Sequence, residues 1–265
     1  MSNGIQKGVT DEIVILPYND AAMFREVMRA NPGRFAAVIC EPMQRTLSPL
    51  PGFLETLREE CDRSGTVLIF DEVVSGFRIA PGGAQEKYGV TPDLTALGKA
   101  FGGGMPLAAI VGRRSLMEHL DPSDLSTQYS FHCGTFNGLP MSIACAQTAI
   151  DLLVDEGGIA RLAELGSYAR ERLHRMFHDL QEPVCVTGDG PIFHFYFTEE
   201  DVHDHAAVRR ANNAFGDAIH RRLYGAGIYK QFSKAYLSIA HEESHIDAFC
   251  DALLWAYRAE RGSAT

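Results

Sequence analysis

The chain has 265 residues, of which 24 are lysine or arginine and 34 are aspartate or glutamate, giving a formal net charge of −10. This acidic balance argues against a protein that binds nucleic acid non-specifically or lies on an anionic membrane surface. No uninterrupted apolar run approaches the roughly 18 residues that indicate a membrane span. The N-terminal region lacks the basic and apolar segments of a secretory signal, and the six cysteines show no C-x-x-C spacing. Reduced thiols and a cytoplasmic location are therefore expected.

The first half of the chain alternates between predicted strands and helices. Asp20 is a candidate cap for a helix over 21–30, and apolar residues at helical spacing predict a second helix over 53–65. Five short apolar runs predict strands: EIVIL at 12–16, AAVICEP at 36–42, TVLIFDEV at 66–73, LTAL at 94–97 and LAAIVGRR at 107–114. The run at 36–42 is continuously apolar, as expected of a parallel strand buried on both faces. This alternation predicts an α/β fold with right-handed crossovers and an open parallel sheet covered on both sides.

The character of the sequence changes after Pro140. Two long helices are predicted over 141–156 and 158–180, and the alternating run at 185–199 indicates an antiparallel strand. A helix around 206–224, a strand at 235–241 and a closing helix at 246–260 complete the predicted elements. We therefore expect two units, a larger α/β domain over 1–150 and a smaller α+β domain over 151–265.

Two residues whose side chains could take part in catalysis or ligand binding follow predicted strands of the first unit. Asp71 lies at the end of TVLIFDEV, and Lys99 follows LTAL at a distance along the chain that suits one crossover. The two strands are therefore predicted to be neighbours, and ligands of open α/β sheets bind at the C-terminal ends of strands. The alternative is a simple salt bridge at the rim of the sheet. Three glycines at 102–104 favour the ligand-binding interpretation, because they let the backbone approach a bound group closely.

Three motifs together resemble one protein family. The runs VLIFDEVVSGFR, PDLTALGKAFGGGMP and HCGTFNGLP are similar to those of the class-III pyridoxal-phosphate-dependent aminotransferases, and most similar to the glutamate-1-semialdehyde 2,1-aminomutase-like members. The resemblance extends over essentially the whole chain. It implies the fold-type I architecture of pyridoxal-phosphate-dependent transferases, with 1–150 as the C-terminal portion of the cofactor-binding domain and 151–265 as the small C-terminal domain.

The resemblance also implies roles for individual residues. Lys99 would form the Schiff base with pyridoxal 5′-phosphate and move a proton between substrate and cofactor, and Asp71 would pair with the pyridine nitrogen. Val73 and Val74 would lie near the cofactor; Val74 stands where many relatives carry a polar residue, although the aminomutase-like members tend to be apolar there. Thr135 would reach the cofactor phosphate of the neighbouring subunit, so the active site would belong to a homodimer. The expected reaction is amino-group transfer on a small amino or keto substrate, by transamination or aminomutation.

The sequence also departs from the family pattern. Roughly the first third of the family's length has no counterpart here, including the turn that cradles the cofactor phosphate, so the active form is expected to be a dimer or to need a separate N-terminal half. The alternative is a truncated, inactive remnant that acts as a binding or assembly module or has no function. Glu72 and Arg78 are expected to form local ion pairs beside the site.

One competing motif points to a different chemistry. HEESH at 241–245 matches H-E-x-x-H, in which two histidines on one helix bind zinc. Here His241 is predicted to end a strand and His245 to begin a helix, which disfavours a zinc site.

Overall fold

The computed structural model describes residues 3–123 and 129–262. The strands are β1 (Ala37–Cys40), β2 (Val67–Asp71), β3 (Leu94–Leu97), β4 (Ala109–Gly112), β5 (Val184–Asp189), β6 (Ile192–Phe197) and β7 (Ala235–Tyr236). The helices are α1 (Lys7–Asp11), α2 (Ala21–Ala30), α3 (Phe53–Ser64), α4 (Gly83–Tyr88), α5 (Arg114–Met117), α6 (Pro140–Ile150), α7 (Gly158–Asp179), α8 (His205–Arg210), α9 (Asn213–Gly225) and α10 (Glu243–Gly262). Single turns of 3₁₀-helix lie at Lys99–Gly102 and Glu118–Leu120, and a π-helical turn at Asp151–Asp155 continues α6. Within this part of the chain, no helix combines the length and apolarity needed to cross a bilayer.

The first sheet has the strand order β1-β2-β3-β4. The first three strands run parallel, which confirms the predicted α/β arrangement with a mostly parallel sheet. The fourth strand runs antiparallel to β3, which departs from the open parallel sheet that the strand–helix alternation predicts. The connection over 98–108 contains only one short helical turn, and a parallel crossover needs a dozen residues or more, usually an α-helix.

Two predicted strands at the start of this sheet need correction. Residues 12–16 form no strand, and Ile13, Val14 and Ile15 are exposed. In the described structure β1 pairs only with β2, so it is an edge strand and not a strand buried on both faces. Ile39 in β1 is 68% exposed. A β-branched run alone does not make a strand when no partner supplies the hydrogen bonds of a ladder.

The helices predicted in the first half are confirmed. The Asp20 side chain accepts a hydrogen bond from the Met23 amide at the start of α2, as an N-cap does. Helix α3 ends at Gly65, which adopts the left-handed conformation with φ of 69°. These local signals need no tertiary partner, which explains why the sequence predicts them well.

The second sheet has the antiparallel order β5-β6-β7. The single strand predicted at 185–199 is in fact a hairpin, turned at Gly190 and Pro191, with φ of 51° at the glycine. The helix predicted at 206–224 is divided into α8 and α9, because Asn212 caps α9 by accepting from the Phe215 amide. Strand β7 is shorter than the predicted 235–241.

Hydrophobic cores support both sheets. In one, Phe193, Phe195 and Phe197 of β6 pack with residues of α7, α9 and α10. Another surrounds Phe70 of the first sheet and also includes Tyr196 of β6. The first sheet therefore packs directly on elements that follow residue 150, and the division into 1–150 and 151–265 stays a prediction.

Candidate functional site

The C-terminal ends of β2 and β3 carry the two residues on which the sequence interpretation depends. The two strands are parallel neighbours, as predicted, and Asp71 is paired in register with Ala96. Lys99 leaves β3 three residues after that position, at the same edge of the sheet. The topology therefore brings the carboxylate and the amine to one edge, where open α/β sheets bind ligands.

Within the described ranges, neither side chain is engaged by a counter-charge. Asp71 is half-buried, and its Oδ1 accepts a hydrogen bond from the Val73 amide at 3.1 Å. Lys99 is exposed. Among the described residues, no ion pair joins Asp71 and Lys99, and none joins either of them to another group. The salt bridge at the sheet rim, the simpler alternative, is not formed.

The backbone at Lys99 has an uncommon conformation. Its φ is 51°, in the left-handed region that non-glycine residues rarely adopt, and it begins the 3₁₀ turn over Lys99–Gly102. Such conformations carry a strain of order 1 kcal/mol or more and cluster at functional sites. The turn therefore fixes where the Lys99 side chain leaves the sheet.

The glycines after Lys99 have a packing role in addition to the predicted one. Gly103 has φ of 58°, and a Cβ added there would overlap the Cys145 carbonyl oxygen of α6. A side chain at this position would therefore push the turn away from α6. The close approach that this glycine permits is to a helix of the same chain, so α6 helps to hold the Lys99 turn in place.

Glu72 does not form the expected ion pair with Arg78. The Glu72 side chain is fully buried and accepts four hydrogen bonds, from Ser75 Oγ at 3.0 Å, the Ala84 amide at 2.5 Å, and the amide and Nε2 of Gln85, both at 3.1 Å. The first turn of α4 thus compensates the carboxylate through its amide groups, which favour negative charge at a helix N-terminus. This arrangement ties the loop after Asp71 to α4.

The two valines after Glu72 have different surroundings. Val73 is half-buried and borders Gly98, where an added Cβ would lie 3.4 Å from Val73 Cγ1. Val74 is buried in a cluster with Met43, Ile79 and other apolar residues. Val73 therefore faces the strand end near Lys99, and Val74 packs into the core beneath it.

Thr135 lies on an exposed turn just before α6. The same segment exposes large apolar side chains, with Phe131 at 78% and Phe136 at 61% of their surface accessible. The turn leads into the helix that packs against Gly103. Thr135 is thus connected to the Lys99 turn through α6, and it is exposed.

The HEESH segment is not arranged as a zinc motif. His241 precedes α10 and His245 lies in its first turn, so the two residues straddle the start of the helix, as the sequence predicts. Each Nδ1 accepts a backbone hydrogen bond, from Ser238 at 3.0 Å and from Glu242 at 3.1 Å. In the described ranges there is no group of three or more His, Cys, Asp or Glu side chains that could hold a metal ion.

A buried polar cluster beside the second sheet was not predicted from sequence. The Lys230 ammonium contacts His194 Nδ1 at 3.1 Å and His220 Nε2 at 2.9 Å, and it donates to the Gln231 carbonyl at 2.8 Å. Burial lowers the pKa of Lys230 to about 7 and, together with the Lys230 charge, that of His220 to about 4. His194 and Lys230 are 36 residues apart in the sequence, so no local motif signals the cluster.

Comparison with known proteins gives consistent matches. The family model described as aminotransferase class-III matches residues 5–242. The glutamate-1-semialdehyde 2,1-aminomutase of Opitutus terrae is 39% identical over 259 residues, which is 95% of this chain and 60% of that protein. The protein of the same name from Pelotomaculum thermopropionicum is 36% identical over 264 residues, which is 97% of this chain and 60% of that protein.

Solved structures agree with these matches. An omega-transaminase from Sphaerobacter thermophilus superposes with a TM-score of 0.91 at 34% identity, covering 98% of this chain and 60% of that one. A beta-phenylalanine aminotransferase from Variovorax paradoxus superposes with a TM-score of 0.84 at 31% identity, covering 94% of this chain and 58% of that one. The chain therefore spans about three fifths of the length of the relatives it matches.

Proposed function

Because this chain belongs to the class-III aminotransferase family, we propose that it takes part in amino-group transfer with pyridoxal 5′-phosphate. The observation that carries the proposal is the placement of Asp71 and Lys99 at the C-terminal ends of two parallel neighbours. Both side chains lack an ionic partner among the described residues, so an added ligand need not displace one. Two opposite charges at one strand edge are suited to a ligand with a basic ring nitrogen and an aldehyde.

The residues present fit this cofactor in chemical type. Lys99 supplies the primary amine that would hold the aldehyde carbon, and Asp71 supplies the carboxylate that would hold the ring nitrogen. Val73 would contact the ring from the strand end, and Val74 would support Val73 from the core. Bound pyridoxal phosphate supplies an electron sink for carbanion chemistry at the substrate α-carbon.

The two charged residues have separate tasks in this proposal. The Asp71 carboxylate would keep a proton on the ring nitrogen, since a negative charge at hydrogen-bonding distance favours the protonated form. The Lys99 amine would remove the proton from the substrate α-carbon and return it, as a general base and acid. The strained turn at Lys99 and the packing of Gly103 on α6 would fix the path of that proton.

We infer that the active form is a homodimer in which Thr135 binds the phosphate of the partner's cofactor. The exposed position of Thr135 and the exposed rings of Phe131 and Phe136 support this inference, because large apolar groups clustered on a surface indicate an interface. The substrate would be a small amino or keto compound. Transamination and aminomutation use the same groups, so the choice between them stays open.

A second polypeptide that supplies the remaining part of the family fold is a further proposed partner. The unpaired edge of β1, with Ile39 exposed, supports it, because an open apolar edge is a template for another strand. The alternative is that the chain acts only as a binding or assembly module or has no function. The acidic composition and the six free cysteines support a cytoplasmic location.

Titration with pyridoxal phosphate tests the proposal. A Schiff base with a protein lysine gives an absorption band in the visible region, and we expect this band to saturate with the unaltered chain. Lys99→Ala should abolish it, and Asp71→Asn should weaken binding about tenfold or more, since hydrogen bonds to charged groups contribute about 1.5–3 kcal/mol. Lys7→Ala, at an exposed lysine of α1, serves as the matched control. Absence of the band in folded protein would overturn the proposal.

A further inference from the structure

A cavity of about 540 Å³ lies next to the Lys99 turn. Ala100 and Gly103 of that turn form one wall, and Leu152, Leu153 and the segment 236–239 form others. Most of the lining is apolar. Its charged member is Arg78, which follows the DEVVSGF run in sequence. The cavity therefore combines an apolar body with one cation.

The Arg78 guanidinium lacks a carboxylate partner among the described residues. It donates to the Val74 carbonyl oxygen at 2.6 Å, and its central carbon lies 5.2 Å from the centre of the Tyr236 ring. Burial lowers the pKa of Arg78, which reflects the cost of removing this charge from water without a counter-ion. A guanidinium carries five N–H donors in a fixed plane, and the contacts given by the structure use one of them.

The other arginines at comparable depth are compensated differently. Arg58 is paired with Asp93 at 3.0 Å. Arg170 is also half-buried and has no acidic partner among the described residues, but its two terminal nitrogens donate to the Gly190 carbonyl and to Ser167 Oγ. Arg170 does not line this cavity. Arg78 thus differs in having most of its donors unused beside an open space.

We propose that this cavity binds the carboxylate of an organic acid with an apolar body, and that Arg78 holds that carboxylate. The central carbon of the guanidinium lies over the Tyr236 ring, and a guanidinium can direct two parallel N–H donors to carboxylate oxygens, the geometry that arginine favours. The apolar walls would receive the hydrocarbon part of the ligand. The further statement that this ligand is the substrate held beside Lys99 rests on the proposed function.

Calorimetry on the chain without pyridoxal phosphate tests the site. The probe is 3-phenylpropionate, and 3-phenylpropionamide is the neutral control of nearly the same shape. We expect the acid to bind at least tenfold more tightly than the amide, because charge-assisted hydrogen bonds are the stronger ones. This comparison uses the unaltered protein, so it does not depend on the folding of a variant.

Variants then locate the binding. Arg78→Gln should weaken binding of the acid about tenfold or more, and Arg78→Lys by less, because lysine keeps the charge and loses the planar pair of donors. Arg170→Gln should change the affinity by less than about twofold, since Arg170 is not in the cavity. Equal affinity for acid and amide, no heat with folded protein, or unchanged binding in a folded Arg78→Gln variant would each overturn the proposal. The cofactor titration can fail without affecting these results, so the two proposals fail separately.

Discussion

Acidification should destabilise this protein through the cluster around Lys230. His220 Nδ1 lies 2.7 Å from the Gly216 carbonyl oxygen, which assigns the proton to Nδ1 and leaves Nε2 to accept from Lys230. His194 likewise accepts at Nδ1. Because burial lowers the pKa of Lys230 to about 7, the amine is charged in acid. A proton on either acceptor nitrogen would then face an ammonium group across a hydrogen bond.

The size of the effect follows from the pKa of His220. Burial and the Lys230 charge lower it from 6.5 to about 4. Below pH 6.5 the unfolded chain therefore binds a proton that the folded chain does not. The free energy of unfolding should fall by about 1.4 kcal/mol per pH unit between pH 6.5 and 4, a total of about 3 kcal/mol from His220. His194, whose pKa is also lowered, acts in the same direction.

Urea unfolding monitored by circular dichroism at pH 7.0, 6.0 and 5.0 measures this slope. His220→Gln replaces the imidazole by a group that does not titrate. The free energy of unfolding of the variant should therefore change less steeply with pH, and the difference in slope should correspond to about one bound proton. His174→Gln, at an exposed position of α7, is the matched control and should keep the original slope. An identical slope in folded His220→Gln and unaltered protein would refute the reasoning.

Two further variants test the loops around the candidate site. Glu72→Gln should lower the free energy of unfolding by about 2 kcal/mol or more, since an amide cannot accept all four hydrogen bonds of a buried carboxylate. Glu86→Gln, on the surface of α4, is the control variant, and thermal unfolding compares the two. An equal loss of stability in both variants would contradict the role given to the buried Glu72 carboxylate. Gly103→Ala should cost about 2 kcal/mol or more from overlap with the Cys145 carbonyl and a positive φ. A Cβ added at Gly225, at the end of α9, meets open space, so Gly225→Ala should leave the stability nearly unchanged. An unchanged stability of Gly103→Ala would show that the turn can move away from α6.

The parts of this fold that the sequence predicts are those with local causes. The helix over 53–65 has its apolar spacing and its terminal glycine within one window, and Gly65 adopts the left-handed conformation that ends α3. The proximity of Asp71 and Lys99 follows from two apolar runs joined by one crossover. In each case a short stretch of sequence contains the physical cause.

The features that sequence reasoning missed depend on distant partners. Residues 12–16 have a strand-like composition but are paired with no strand in the described structure. The antiparallel direction of β4 follows from a connection without a crossover helix. The cluster of His194, His220 and Lys230 joins three elements, and the cavity at Arg78 exists only after folding. No local pattern of residues along the chain indicates these contacts.

Identification of the lysine that binds pyridoxal phosphate tests the proposed cofactor site at the level of a single residue. The chain is incubated with the cofactor, reduced with borohydride to fix the bond, and digested for peptide mass spectrometry. We expect the label on Lys99, in the peptide that contains TALGKAFGGG, with no label in Lys99→Ala at the same cofactor concentration. Labelling chiefly at another lysine, or equal labelling after Lys99→Ala, would contradict the assignment of this strand edge as the cofactor site.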